Sequence, residues 1–202
     1  METATASTRF VVGLGNPGEQ YARTRHNVGF RVAARLAKLW QASGPRNAFG
    51  GLLYDATVFR GRAARRAMLL TPMTYMNRSG QAVREMLTFY KAAATDVLVV
   101  LDDMALPPGR LRARAEGSAG GHNGLDDVLA ALGTQQVSRL RIGIGSPPGR
   151  MDAADFVLSC FTEREAAEID VTVEQAASAV EDWVFDGIER MMEKYNRKED
   201  SA

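Results

Sequence analysis

The chain has 202 residues, 46% of them hydrophobic and 24% charged; this excludes an intrinsically disordered polymer and fits one globular domain burying roughly 70% of its unfolded surface. One cysteine, Cys160, excludes an internal disulfide and suits a reducing compartment, and the lack of any run of about 18 apolar residues excludes a membrane-spanning helix. The 25 Lys+Arg and 24 Asp+Glu leave a net charge of +1, but residues 1–150 hold 20 basic and 10 acidic side chains, whereas residues 151–202 hold 5 and 14.

A basic body joined to an acidic segment points to a nucleic-acid or phosphate partner. It equally suits an Arg-rich composition with a solvated acidic helix. Residues 1–8 (METATAST) lack the charged-then-apolar pattern of a signal peptide and are expected to form a disordered start.

Arg9–Leu14 is β-branched and apolar, as in a strand, and breaks at Gly15-Asn16-Pro17-Gly18. Val28–Trp40 places Val28, Val32, Leu36, Leu39 and Trp40 at the spacing of an amphipathic helix. Leu52–Phe59 and Ala63–Leu70 read as two strands joined by Arg60-Gly61-Arg62. Ser79–Tyr90 is again helical. Val97–Leu101 (VLVVL) is a continuous apolar run, as in a strand covered on both faces. Arg110–Ala115 alternates basic with apolar residues, which predicts a strand with one wet, positive face. A short helix at Leu125–Leu132 and a strand at Leu140–Ile144 follow. Thr162-x-x-Glu165 is a capping box opening a helical stretch, broken or continuous, to Tyr195. The alternation predicts a single α/β domain with a mixed β-sheet flanked by helices, the acidic C-terminal helices packed beside its cleft. Cys160 lies in the apolar FVLSCF and is expected to be an inert buried thiol.

GLGNPG at 13–18 matches the dinucleotide-binding pattern literally. That fingerprint needs the loop to open directly into a helix and an acid about 20 residues on. Here the helical pattern starts near Asn27 and residues 33–41 contain no acid, so the glycines are better read as shaping a loop that presents Asn16. The two histidines of the chain both precede asparagine, in RHNVG at 25–29 and GGHNG at 120–124. Histidine is the usual general base near neutral pH and needs a carboxylate to fix its tautomer. Asp102 and Asp103 end the VLVVL run, where α/β strands carry functional groups. Asn16, Asn27, Asn77 and Asn123 sit at loops or junctions. They read either as turn and cap formers or as a neutral polar site for an amide or ester. The same choice between structural turn and functional group applies to the histidines and to Asp103. There is no HExxH, no paired-cysteine spacing, no phosphate loop and no nucleophile elbow, so neither a metal site nor a cofactor is expected.

Four ordered blocks resemble bacterial-type peptidyl-tRNA hydrolase: GLGNPGEQYARTRHNVGF at 13–30, PMTYMNRSG at 72–80, LDDMALPPGRLRARAEGSAGGHNGL at 101–125, and RLRIGIGSP followed by DFVLSCF. The similarity runs from about Phe10 to Tyr195 and implies one domain over residues 9–197. It further implies an ester hydrolase that splits peptide from the 3′ ribose of tRNA, recycling prematurely released peptidyl-tRNA as a cytoplasmic monomer with no metal, cofactor or membrane. By motif, the resemblance assigns catalysis to His26 and Asp102. It assigns substrate binding to Asn16, Tyr21, Met76, Asn77, His122 and Asn123, and tRNA phosphates to Arg112, Arg114 and Arg141. Three positions depart from the family pattern: Glu116, Arg78 where an apolar residue is usual, and Ala105 where an acid is usual. A related reading, an RNA-binding protein on the same scaffold, would tolerate loss of His26 or Asp102; both are present.

Overall fold

A β-branched, apolar run makes the first strand, β1 (Arg9–Gly13), and its side chains alternate between two core layers, Val11 on one side and Phe10 and Val12 on the other. The computed structural model describes residues 8–197, so of the disordered start expected at residues 1–8 all but Thr8 lie outside the described residues. Parallel strands β4 (Ala63–Pro72), β1, β5 (Val97–Asp103) and β7 (Ser138–Gly143) form the centre of the sheet. Antiparallel strands flank them: β2 (Ser43–Ala48) and β3 (Gly51–Arg60) beyond β4, and β6 (Leu111–Arg114) beyond β7. Among the described residues this gives seven strands in the order β2-β3-β4-β1-β5-β7-β6.

Helices α1 (Val28–Leu39) and α5 (Glu163–Tyr195) cover one face; α2 (Ser79–Tyr90) and α3 (Asn123–Leu132) cover the other. A short helix, α4 (Ala153–Leu158), packs on the turn at Arg25–Asn27. The doubly covered sheet explains why β5 is buried along its whole length, as its continuous apolar run predicts. The expected single α/β domain and its hairpin are present. β2 was not legible in the sequence. Its residues, SGPRNA, carry no apolar alternation because it is an exposed edge strand held by backbone pairing to β3 across a register shift.

One glycine sets the geometry of the site. A Cβ on Gly29 would stand 2.5 Å from the carbonyl oxygens of both Leu14 and Val100. Only the bare backbone of α1 can approach β1 and β5 so closely, and this approach sets the Arg25–Asn27 turn over their carboxyl ends.

The acidic C-terminal segment pairs with the basic body. Arg31 and Arg35 of α1 bond Asp170 and Glu174 of α5, and Arg60 at the end of β3 bonds Asp182 and Asp186. Such exposed pairs, screened by solvent, add little to stability. They account for part of the charge split as intramolecular neutralisation. The Thr162–Glu165 capping box opens α5 as expected, and Gly187 (φ 81°) breaks it near its end. Cys160 departs from the expected buried thiol: it is exposed. Phe156 is the one buried side chain of α4, and Cys160 pairs with Thr24 through its backbone only, leaving the thiol to solvent.

Candidate active site

The chain leaves β1 for β4 on one side and later reaches β5 on the other, so β1 is the point where the strand order reverses. Ligands of open α/β sheets bind at the carboxyl ends of the strands at such a point. A cleft of about 1010 Å³ lies there. Its walls come from the loop after β1 (Asn16, Tyr21, His26), the turn after β4 (Tyr75–Arg78), the end of β5 (Leu101–Ala105), the Ala119–Asn123 loop, Arg141 and α4. GLGNPG does not open a helix: two 3-10 turns, Glu19–Tyr21 and Arg25–Asn27, intervene before α1.

At the centre of the cleft one carboxylate serves two imidazoles. His26 Nδ1 lies 2.8 Å and His122 Nε2 3.0 Å from the same oxygen, Asp102 Oδ1, and the ring centroids are 4.9 Å apart. Asp102 is buried. Burial alone would raise its carboxyl, but His122 and then His26 outweigh this and hold it well below the ordinary carboxylate range. An ionised carboxylate only accepts, so both histidines donate to it. This fixes their tautomers. His26 carries its proton on Nδ1, and its Nε2, which has no protein partner among the described residues, is left with a free lone pair in a ring lining the cleft. His122 Nδ1 accepts from the Leu125 N–H at 3.2 Å and caps α3, so its proton is on Nε2.

The three groups could also be viewed as metal ligands, since their donor atoms lie within 4.8 Å of one another. A cation on His122 Nε2 would drive that proton to Nδ1, where the Leu125 N–H already points. The donor set therefore fits a hydrogen-bonded triad better than a metal centre.

Asn16 is held as firmly. Its side-chain oxygen accepts from the Met76 N–H at 2.9 Å, which turns its Nδ2 donor away from that contact. Asn27, which is buried, clamps the Asn16 backbone: its Oδ1 accepts from the Asn16 N–H at 2.8 Å and its Nδ2 donates to the Asn16 carbonyl at 2.9 Å. Asn27→Ala is expected to cost about 1–3 kcal/mol by leaving buried groups unpaired. Urea unfolding should show the loss and steady-state assays a higher KM. An unchanged midpoint and KM would mean that the Asn16 loop holds itself.

Tyr21 is half-buried and Met76 buried; Asn77 and Asn123 are exposed, Asn123 as the first residue of α3, and all four line the cleft. Asp103 bears out the structural reading. Its Oδ1 accepts from the Ala105 N–H at 2.9 Å, and its Oδ2 lies 2.8 Å from Arg141 Nε. Arg141, directly opposite Arg112 in the β6–β7 register, is thus already paired, whereas Arg112 and Arg114 have no acidic partner among the described residues. Arg139 is buried and props the loop that carries His122, donating to the carbonyls of Gly117 at 2.7 Å and Gln135 at 3.2 Å.

Sequence reasoning missed three supports. One is the His122–Asp102 bond. The second is the Asn27 clamp, although RHN stands beside the histidine. The third is Arg25, a buried cation bonded to Ser159 (2.8 Å), the Cys160 carbonyl and Glu165 (2.7 Å), and stacked near Phe156 and Phe161. It ties the residue before His26 to both C-terminal helices, and no local pattern announces a contact 140 residues away in the chain.

Residues 10–202 match the family described as Peptidyl-tRNA hydrolase. Proteins of that name from Anaeromyxobacter sp. (strain K) and Geobacillus kaustophilus (strain HTA426) are 46% and 45% identical to this chain over 194 and 188 residues, covering 96% and 93% of it and 99% of each relative. The crystal structure of peptidyl-tRNA hydrolase from Acinetobacter baumannii matches with a TM-score of 0.86 at 34% identity, over 96% of this chain and 97% of that one.

Proposed function

The chain belongs to the peptidyl-tRNA hydrolase family and hydrolyses peptidyl-tRNA to release tRNA; from that premise we propose that His26 is the general base that activates the attacking water. The free Nε2 of His26, backed by an ionised Asp102, is the observation that carries this reading. Neutral His26 takes a proton from water as its oxygen attacks the ester carbonyl. Asp102 then faces an imidazolium rather than an imidazole. The proton goes on to the departing ribose oxygen, directly or through solvent. A placed base of this kind supplies about 10²–10⁴ in rate.

Charge develops on the carbonyl oxygen in the tetrahedral state. The oriented Nδ2 of Asn16 is a donor for it, worth about 10²–10³. Asn77, with Tyr21 and Met76, binds the peptide; Asn123 positions water or the 3′ terminus. His122 holds Asp102 from the second side. An ester needs no covalent nucleophile, and no step requires a metal. The reading carries an enzyme acting as a monomer in the cytoplasm. Among the described residues no helix is long and apolar enough to cross a membrane.

On the tRNA side, Arg112 and Arg114 bear on phosphates, with Arg141 contributing from its pair with Asp103. Each phosphate neutralised adds roughly −0.7 to −0.9 to the log–log salt slope of binding. The test uses N-acetyl-aminoacyl-tRNA at several salt concentrations. Free tRNA should be released, unblocked aminoacyl-tRNA spared, and the slope reduced by about 1.4–1.8 in Arg112→Ala/Arg114→Ala. A slope unchanged by that double substitution would remove these arginines from the interface.

A further inference from the structure

We propose that Arg78 forms an anion-accepting subsite for the peptide, so that this enzyme favours peptidyl-tRNAs carrying Asp or Glu one or two residues from the ester. The inference rests on the reading of the cleft given above.

Arg78 is exposed and lines the cleft beside Asn77 at the start of α2. The other charges on the walls are engaged. Asp102 is held by two imidazoles, Asp103 pairs with Arg141, and Asp152 caps α4 by accepting from the Ala154 N–H. Among the described residues Arg78 is the one lining cation with no acidic partner. An unpaired guanidinium on the wall of a binding cleft is a ready partner for a carboxylate or a phosphate.

Its neighbours decide between the two. Arg78 follows β4, whereas Arg112, Arg114 and Arg141 lie on β6 and β7. The turn that carries Arg78, Met76–Arg78, packs on α3 and holds Met76 and Asn77, the side chains read above as peptide-binding. With the ester at His26, a peptide bound by Asn77 and Met76 passes Arg78, which lines the same cleft, and the tRNA phosphates are left to the arginines of β6 and β7. A peptide held at Asn77 brings side chains near its ester end beside Arg78. A carboxylate there meets the guanidinium; the isosteric amide does not gain the charge.

The test compares peptides on one and the same tRNA, with Glu or Gln at the first or the second position from the ester. The wild type should show a kcat/KM about two- to fivefold higher for Glu than for Gln at low salt, the size expected of a solvent-exposed ion pair, at one of the two positions. Arg78→Leu should abolish this ratio, Arg78→Glu should invert it, and Arg78→Lys should keep most of it. High salt should erase it. Equal rates for Glu and Gln in the wild type would overturn the subsite. So would Arg78→Leu lowering kcat/KM for every substrate alike together with a smaller salt slope, which would make Arg78 a tRNA contact. If the wild type cleaved neither peptide, the reading of the cleft itself would fall.

Discussion

His26→Ala should lower kcat by about 10²–10⁴, with tRNA affinity within about twofold of the wild type. The size follows from what Nε2 does. It is the imidazole nitrogen of the cleft with no partner among the described residues, and its lone pair is kept available because Nδ1 is committed to Asp102 Oδ1 at 2.8 Å. The affinity should survive because the arginines proposed to meet phosphate lie on β6 and β7, not on the turn that carries this ring. The measurement pairs single-turnover release of tRNA with equilibrium binding of uncharged tRNA. Loss of both together would show a folding defect rather than a missing base.

Asp102→Asn should be nearly as damaging, at about 10²-fold or more in kcat. The carboxylate does two things at once: it fixes the His26 tautomer and it faces the imidazolium as the proton arrives. It also accepts from His122 at 3.0 Å, so an amide in its place must satisfy two donors without a charge. The ionisation of Asp102 carries a pH signature. Its folded value lies below the ordinary 3.8. The stability it contributes is therefore present above that ordinary value and lost only as the pH falls below it toward the folded one. Asp102→Asn should accordingly be less stable than the wild type at neutral pH, with the gap closing only in strong acid. Loss of wild-type activity at mildly acidic pH would then not report Asp102. An Asp102→Asn enzyme with near-normal kcat would remove the carboxylate from the mechanism.

What could be read from the sequence follows physical locality. Continuous apolar runs marked β1 and β5, and the 3.6-residue spacing marked α1 and α2, because burial imposes a period on adjacent residues. The Thr162–Glu165 box marked the start of α5 because its bonds close within one turn. His26, Asp102, Asn16 and Asn77 were identifiable from motif blocks. That they serve one site was implied by the resemblance; how the chain brings them together was not legible, because it comes from the sheet order and from Gly29. Arg25 and Asn27 act through long-range contacts that leave no local trace. Edge strand β2 is held by backbone bonds, which composition does not record. Cys160 looked buried because its neighbours are apolar, yet apolar neighbours on a short surface helix do not make a core. The near-zero net charge was the least informative number. Arginines of α1 and β3 neutralise acids of α5 directly, while Arg112 and Arg114 have no acidic partner among the described residues.

The central claim is that His26 and Asp102 work as one unit, and a double-mutant cycle measures this most directly. With kcat taken from single turnovers of N-acetyl-aminoacyl-tRNA, the His26→Ala/Asp102→Asn enzyme should be no slower than His26→Ala alone, because the carboxylate has nothing left to assist. Losses that multiply, the double variant falling by the product of the two single effects, would contradict the account and show Asp102 acting on the reaction independently of His26.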